Sequence, residues 1–241
     1  MYYSLMTLKL ELQDIPSIVK QLAEGYVDAL TIFFLTLLIS LPLGLIVAFG
    51  RMSKHKIISL PVKFYISVMR GTPLMLQLIG VYFGPALIIQ FLGRVFENPS
   101  LEYFAMPSNY RFTAVIIAFG INYAAYFAEI YRGGIEAVPK GQYEAGEILG
   151  FSKAQIFFKI VFPQMVKNIL PAATNEIITL VKDTSLAFAI SYVEMFTIAK
   201  MLVNSTSSLI PLIIAGAFYY VTNLVVAFVM GKMEKRMNYF N

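Results

Sequence analysis

The chain has 241 residues and a net charge of +5, with 58% hydrophobic and 14% charged residues, whereas ordinary soluble domains carry about 25% charged residues. A soluble globule is thereby excluded, and 15 glycines, 11 prolines and no cysteine exclude a disordered, collagen-like or disulfide-rich chain. With His55 as the one histidine, we predict no metal site and no catalytic residue. A one-domain integral membrane protein remains.

The apolar runs predict an all-α membrane protein with five transmembrane helices, since about 20 helical residues cross a hydrocarbon core. Four runs are free of charge over most of their length, and a fifth carries four charged residues. In chain order the runs are 29–50, 71–93, 112–128, 169–198 and 201–231, the last with an apolar core over roughly 209–230. We expect the second helix to begin near Ile57 and to be kinked at Pro73 and Pro85, because proline removes a backbone donor.

Lysine and arginine are distributed unevenly between the two sides of these spans. Of the 19 basic residues, 11 lie in loops on one side, five on the other and three within spans. The positive-inside rule then predicts an outer N-terminus and a cytoplasmic C-terminus. Because the charges lie between apolar runs rather than on one soluble face, they do not indicate nucleic acid binding.

The chain is predicted to divide into three parts. Residues 1–24 lack a basic n-region and a cleavage site, so we expect an extracytoplasmic lead-in rather than a signal peptide. The membrane domain is expected over 25–232, with a cytoplasmic loop at 139–165, and the cytoplasmic tail over 233–241.

The loop between the third and fourth spans is too long for a tight turn. Residues 140–148 fit a short helix, Gly150 supplies a stop with positive φ, and Ser152 caps a second helix that we expect to end at Pro163. Two short helices under the membrane suggest docking to a cytoplasmic partner. The alternative is a helix pair that lies on the lipid headgroups.

The sequence EAGEILGFSKAQIFFKIVFPQ within this loop resembles the EAA loop of permease subunits of ABC importers. The upstream MRGTP and AEIYRGGI and the downstream KDTSL look like the polar amino acid branch of that family, and the resemblance runs from about Gly25 to the C-terminus. Glycine stands at the third motif position, where the family has alanine. The positions predicted to couple to the ATPase are Glu144, Ala145, Gly146, Gly150 and Pro163.

This resemblance implies a type I importer in the bacterial plasma (inner) membrane. Two permeases form the path, separate ATPase subunits bind ATP and Mg, and an extracytoplasmic amino-acid-binding protein delivers the substrate. The chain has no nucleotide-binding motif, since Gly231 and Lys232 are followed by Met233. We therefore predict a non-enzyme without a cofactor of its own.

Several identities stay open from the sequence. The second permease can be a copy of this chain or a different one, and the substrate can be glutamine, arginine, histidine or cystine. An ion-coupled carrier is an alternative, although it would normally have more spans and inverted repeats. A non-transporting scaffold is another, although it would need no charges inside the membrane.

Charges in the fourth predicted span suggest a water-accessible wall. At about 100° per residue, Glu176, Asp183 and Glu194 fall within roughly 20° of one another, whereas Lys182 lies on a second face. Alternatively, Glu176 and Glu194 are hydrated at the two membrane surfaces, and Asp183 is a fixed counter-charge for Arg70 or Lys182.

Two other places carry candidate path residues. Arg70 could bind an α-carboxylate as a bidentate fork or form a structural ion pair, beside a helix break at which Thr72 bonds back to a carbonyl. Asn122, Tyr126 and Glu129 share one helical face, and Glu129 forms either a gate or a local pair with Arg132. Further path candidates are Gln77, Ser185 and Tyr192.

Overall fold

The computed structural model describes residues 2–107 and 109–237, with side chains from residue 14 onward. This part of the chain folds into helices. Five segments are long and apolar enough to cross a membrane, as the sequence predicts: Asp14–Arg51, Leu74–Val95, Tyr110–Glu136, Lys153–Ile190 and Ile210–Arg236.

The helices are numbered in chain order. They are α1 (Tyr2–Arg51), α2 (Lys56–Gly71), α3 (Leu74–Val95), α4 (Pro99–Glu102), α5 (Tyr110–Glu136), α6 (Lys140–Ile148), α7 (Lys153–Ile156), α8 (Phe162–Asp183), α9 (Met195–Thr206) and α10 (Ile210–Arg236). A π-helix (Phe157–Val161) joins α7 to α8, and a 3₁₀-helix (Thr184–Ile190) follows α8.

The centre of the bundle is a parallel pair formed by α1 and α5. A Cβ atom added at Gly44 would lie 2.8 Å from the Cβ of Phe127, and one at Gly120 would lie 3.2 Å from Cγ2 of Ile39. These small residues let the two backbones approach closely, which is how helices commonly associate in membranes. The fully buried Phe119 and Phe127 of α5 belong to the main apolar core.

The predicted kink at Pro73 is a complete break between α2 and α3. Thr72 and Pro73 are both extended, with ψ of 148° and 132°, because a residue before proline is disfavoured in the α-helical region. Pro85 lies inside α3, as prolines in membrane helices often do.

The predicted span 169–198 is wrong at its C-terminal end. The α-helix ends at Asp183 and the 3₁₀-helix at Ile190, and Ser191 has a left-handed φ of 57°. Glu194 is the N-cap of α9, so it lies on no common helix with Glu176 and Asp183. The acidic stripe is therefore limited to Glu176 and Asp183.

Within the predicted run 201–231, the apolar core expected over about 209–230 is confirmed as the last span, and the residues before it belong to α9. Ser207 has a left-handed φ of 53° and ends α9, and α10 begins at Ile210. A left-handed residue cannot continue a right-handed helix, so only the apolar part from residue 210 onward forms the last span.

Helix α1 passes through residues 24 and 25 without interruption. Ile18 and Leu22 are buried against Met195, Ala199 and Ala215. This part of the predicted lead-in thus packs on α9 and α10 through its own apolar residues. The division of the chain into lead-in, membrane domain and tail stays a prediction.

Candidate translocation and coupling site

The break between α2 and α3 is covered by side-chain amides. Gln77 Nε2 donates to the Thr72 hydroxyl at 2.8 Å and to the carbonyl of Met69 at 3.0 Å. Asn122 Nδ2 donates to the same carbonyl at 3.0 Å and to Gln77 Oε1 at 2.9 Å. The predicted bond of Thr72 back to a carbonyl is present, with Val68 as acceptor at 2.8 Å. The network holds the break against α5.

Glu129 is the centre of an ionic cluster at the C-terminal ends of α1, α2 and α5. Its carboxylate lies 2.7 Å from Arg132, 3.6 Å from Arg51 and 3.9 Å from Arg70. Arg132 also binds Glu136 at 2.5 Å. We call these five residues the Glu129 cluster. The local Glu129–Arg132 pair is present, but it is one part of a junction between three helices.

Arg70 forms the longest ion-pair contact in the Glu129 cluster. Its side chain is 45% exposed, and its guanidinium carbon lies 5.4 Å from the ring centroid of Tyr126. At 3.9 Å the contact with Glu129 is too long for a hydrogen bond. The planar donors of Arg70 therefore remain accessible to a further acceptor.

Asp183 ends α8 and is bound by a tyrosine. Its Oδ2 atom accepts a hydrogen bond of 2.7 Å from the hydroxyl of the buried Tyr123 on α5. Among the described residues, neither Arg70 nor Lys182 lies within 4 Å of Asp183 as an ion pair, so the choice between a counter-charge and a substrate contact stays a prediction.

Lys182 and Ser185 face a cavity of about 220 Å³ that α10 also lines. The hydroxyl of Ser185 donates to the carbonyl of Lys182 at 2.7 Å, where the α-helix gives way to the 3₁₀-helix. Such 3₁₀ turns are frequent at the C-terminal ends of α-helices, and this one ends at Ile190. The ammonium group of Lys182 and the hydroxyl of Ser185 therefore lie beside the start of the 3₁₀-helix.

Glu194 is fully buried, and its bonds are those of a helix cap. Its carboxylate accepts from the backbone N–H groups of Phe196 at 2.7 Å and Thr197 at 2.8 Å, and from Tyr219 at 3.3 Å. These bonds satisfy the otherwise unpaired donors at the start of α9. Glu176 lies half-buried on α8.

The local structure of the predicted coupling loop is confirmed up to Ile156. Helix α6 spans Lys140–Ile148, and Gly150 has a φ of 77°. Ser152 caps α7 in a capping box with Gln155, with bonds of 2.8 and 3.3 Å.

Gly146 is buried where α6 crosses the following helix. A Cβ atom at this position would lie 2.8 Å from Cγ1 of Ile156 and 3.1 Å from Cδ1 of Ile160. Both neighbours are β-branched and have little freedom to move aside. The glycine in the third motif position therefore permits close packing within the loop.

The opposite face of the loop is exposed and apolar around Glu144. Ile148, one helical turn after Glu144, is 85% exposed and Leu149 is 69% exposed, while Glu144 and Ala145 also face outward. Tyr143 packs against Val138, Ile156 and Val161 instead, and burial raises the pKa of its hydroxyl. An exposed apolar patch of this kind is typical of a protein interface.

Pro163 does not end the second helix of the loop, contrary to the prediction. The N–H of Phe162 bonds to the carbonyl of Phe157 in the π-helix, and Pro163 lies in the first turn of α8. The wider π turn accommodates a proline ring that an α turn would crowd. The loop therefore continues into the membrane through α8.

Sequence reasoning missed the tyrosine that binds Asp183 and the arginine of α1 that reaches Glu129. Tyr123 is 60 residues from Asp183, so no local signal connects them. Arg51 follows directly on the first apolar run, and its charge at a helix end could have suggested a partner.

Comparison with known proteins identifies the family. Residues 40–239 match the family of binding-protein-dependent transport system inner membrane components, and the chain belongs to that family. It is a membrane permease subunit of a binding-protein-dependent ABC importer.

Individual relatives are similar in sequence to this chain over most of its length. The nopaline transport system permease protein NocM of Agrobacterium fabrum is 36% identical, over 92% of this chain and 88% of the relative. The arginine transport system permease protein ArtQ of Bacillus subtilis is 35% identical, over 89% and 91%.

Solved structures agree with the fold. A crystal structure of an amino acid ABC transporter with histidines is 33% identical and covers 93% of this chain and 97% of its own, with a TM-score of 0.77. The MetNI methionine ABC transporter in an inward-facing conformation has a TM-score of 0.66 over 90% of this chain, and at 18% identity it supports the fold alone.

Proposed function

We propose that this chain forms half of the path by which a polar amino acid enters a bacterial cell, driven by a separate ATPase. One observation carries the substrate class: relatives covering about nine tenths of the chain are permeases named for arginine and glutamine. Five spans and the charged groups among them favour this function over a scaffold or an ion-coupled carrier.

The proposed orientation has the N-terminus outside and the C-terminus in the cytoplasm of the inner membrane. The excess of basic residues on one side supports it. In this orientation the Glu129 cluster and the coupling loop both face the cytoplasm. The loop then docks to the ATPase, which binds ATP and Mg, while a binding protein and a second permease complete the importer.

The proposed path runs past Arg70, Tyr126 and Asp183. Arg70 offers planar donors that match a carboxylate, and Asp183 offers an acceptor for an ammonium group. Three other polar residues nearby already form hydrogen bonds with one another: Thr72, Gln77 and Asn122. We therefore assign them to the structure of the path wall and not to ligand binding.

Reconstitution tests the substrate class. The chain is assembled in proteoliposomes with its ATPase and binding protein, and L-glutamine, L-arginine, L-histidine and L-cystine are screened for stimulation of ATP hydrolysis and for uptake. We expect one of these amino acids to stimulate both. Uptake driven by an ion gradient without the ATPase would contradict the proposal.

Asp183→Asn is expected to lower uptake by about ten- to one-hundred-fold, since a hydrogen bond to a charged group contributes about 1.5–3 kcal/mol. Asparagine can still accept the bond from Tyr123, so the variant removes the charge and keeps the contact. The matched control Tyr123→Phe removes the hydrogen bond and keeps the charge, and it should transport better than Asp183→Asn. Wild-type uptake kinetics in Asp183→Asn would contradict the path.

A further inference from the structure

A second polar cavity lies far from the Glu129 cluster. It has a volume of about 330 Å³ and is lined by Asp28 of α1, Arg111 and Phe112 of α5, and Tyr192 of the segment between α8 and α9. Small-molecule sites commonly measure about 300–1,000 Å³. We call this cavity the outer pocket.

Its level in the membrane follows from the two parallel helices that carry its charges. Asp28 precedes Arg51 by 23 residues, and Arg111 precedes Arg132 by 21 residues. At 1.5 Å per residue these separations are about 35 and 32 Å, close to the hydrocarbon thickness of about 30 Å. The outer pocket and the Glu129 cluster therefore lie at opposite membrane interfaces.

The two charges of the outer pocket are held in place by phenols. Asp28 Oδ1 accepts a hydrogen bond of 3.2 Å from Tyr192, and Arg111 Nε donates one of 3.2 Å to the Tyr82 hydroxyl. Neither Asp28 nor Arg111 has an ion-pair partner among residues 14–107 and 109–237. One carboxylate and one guanidinium thus border the same cavity without neutralising each other.

We propose that the outer pocket binds the zwitterionic head of a free α-amino acid. The ammonium group of the ligand binds Asp28, and its carboxylate binds the terminal nitrogens of Arg111 through charge-assisted hydrogen bonds. A ligand with one charge would satisfy only one of the two groups. The outer pocket is then an entry site above the proposed path, and this assignment rests on the proposed amino acid transport.

Binding is measured on the assembled permease–ATPase complex without its binding protein, in nanodiscs of phosphatidylglycerol, which has no zwitterionic headgroup. The probes are L-arginine and L-glutamine, together with their α-amides, which lack the carboxylate charge, and their Nα-acetyl forms, which lack the ammonium charge. We expect the free amino acids to bind about ten- to one-hundred-fold more tightly than either derivative.

Two substitutions separate the roles of the charges. Arg111→Gln should abolish the preference over the α-amide, and Asp28→Asn, which can still accept from Tyr192, should abolish the preference over the Nα-acetyl form. Arg94→Gln is the matched control, since it removes an exposed charge that is paired with Glu102 at 3.9 Å and lies outside the pocket. It should bind like the wild type.

The binding experiments test the outer pocket separately from the proposed function. Absence of binding to the wild type, or unchanged preferences in both pocket variants, would overturn the outer pocket. Loss of amino acid binding when phosphatidylethanolamine is added to the nanodiscs would assign the pocket to a lipid headgroup and overturn it as well. ATP hydrolysis by the complete wild-type importer separates this result from a failure of the proposed function. If the proposed function is wrong, no amino acid stimulates that hydrolysis.

Discussion

Glu129→Gln is expected to destabilise the folded chain by about 1–3 kcal/mol, because it leaves three guanidinium groups without their common counter-charge. The Glu129 side chain is only 17% exposed and contacts Arg51, Arg70 and Arg132. For a chain of this size, 1 kcal/mol corresponds to a fall in Tm of about 2–4 °C. Thermal unfolding in detergent measures the effect.

Glu136→Gln is the matched control for this substitution. Glu136 binds the same Arg132 at 2.5 Å, but its side chain is 55% exposed, and exposed ion pairs contribute only about 0–1 kcal/mol. Adding Arg51→Gln to Glu129→Gln removes one of the unpaired charges, so the double variant should recover part of the lost stability. Equal losses in Glu129→Gln and Glu136→Gln would contradict a junction centred on Glu129.

Local signals were enough to predict the coupling loop up to Ile156. Helix α6, the stop at Gly150 and the cap at Ser152 each depend on a residue and its nearest neighbours in the chain. Pro163 follows the same local rules, yet the helix continues past it. The π-helix before it is an uncommon geometry, and nothing in the local pattern indicates it.

Long-range features were harder to predict from periodicity. The interpretation of residues 169–198 as one helix assumed continuous turns, but Ser191 takes a left-handed conformation that serine does not favour. Because the chain turns at Ser191, Glu194 is the buried N-cap of α9 and does not line the predicted acidic wall. The bond between Tyr123 and Asp183 likewise depends on how α5 and α8 pack, and a single sequence does not specify the packing.

The coupling loop and the proposed path are connected by one helical rod. The π-helix leads into α8 without a gap, and α8 ends at Asp183. Near the other end of α8, Gly134 of α5 packs closely against Met165 and Ile169, and an added Cβ would collide with Ile169. We therefore expect a displacement of the loop to be passed along this segment toward Asp183.

This continuity gives Glu144→Arg a large expected effect on coupling. Glu144 is exposed on the face of α6 opposite the buried Gly146, so the substitution should leave the fold unchanged and reverse the charge on the proposed docking face. A reversed charge in a docking surface loses any partner that the original carboxylate has there, and we expect the amount of amino acid taken up per ATP hydrolysed to fall by more than about tenfold.

The measurement is the ratio of amino acid uptake to ATP hydrolysis in proteoliposomes, with the amount of inserted permease determined in parallel. Glu147→Arg is the matched control, because it makes the same charge reversal at another exposed position of α6 that is not one of the predicted coupling positions. An equal loss in both variants would indicate a general charge effect rather than a contact of Glu144. Unchanged transport in Glu144→Arg would contradict docking through this face of the loop, since a contact surface cannot accept a reversed charge at its centre without loss of affinity.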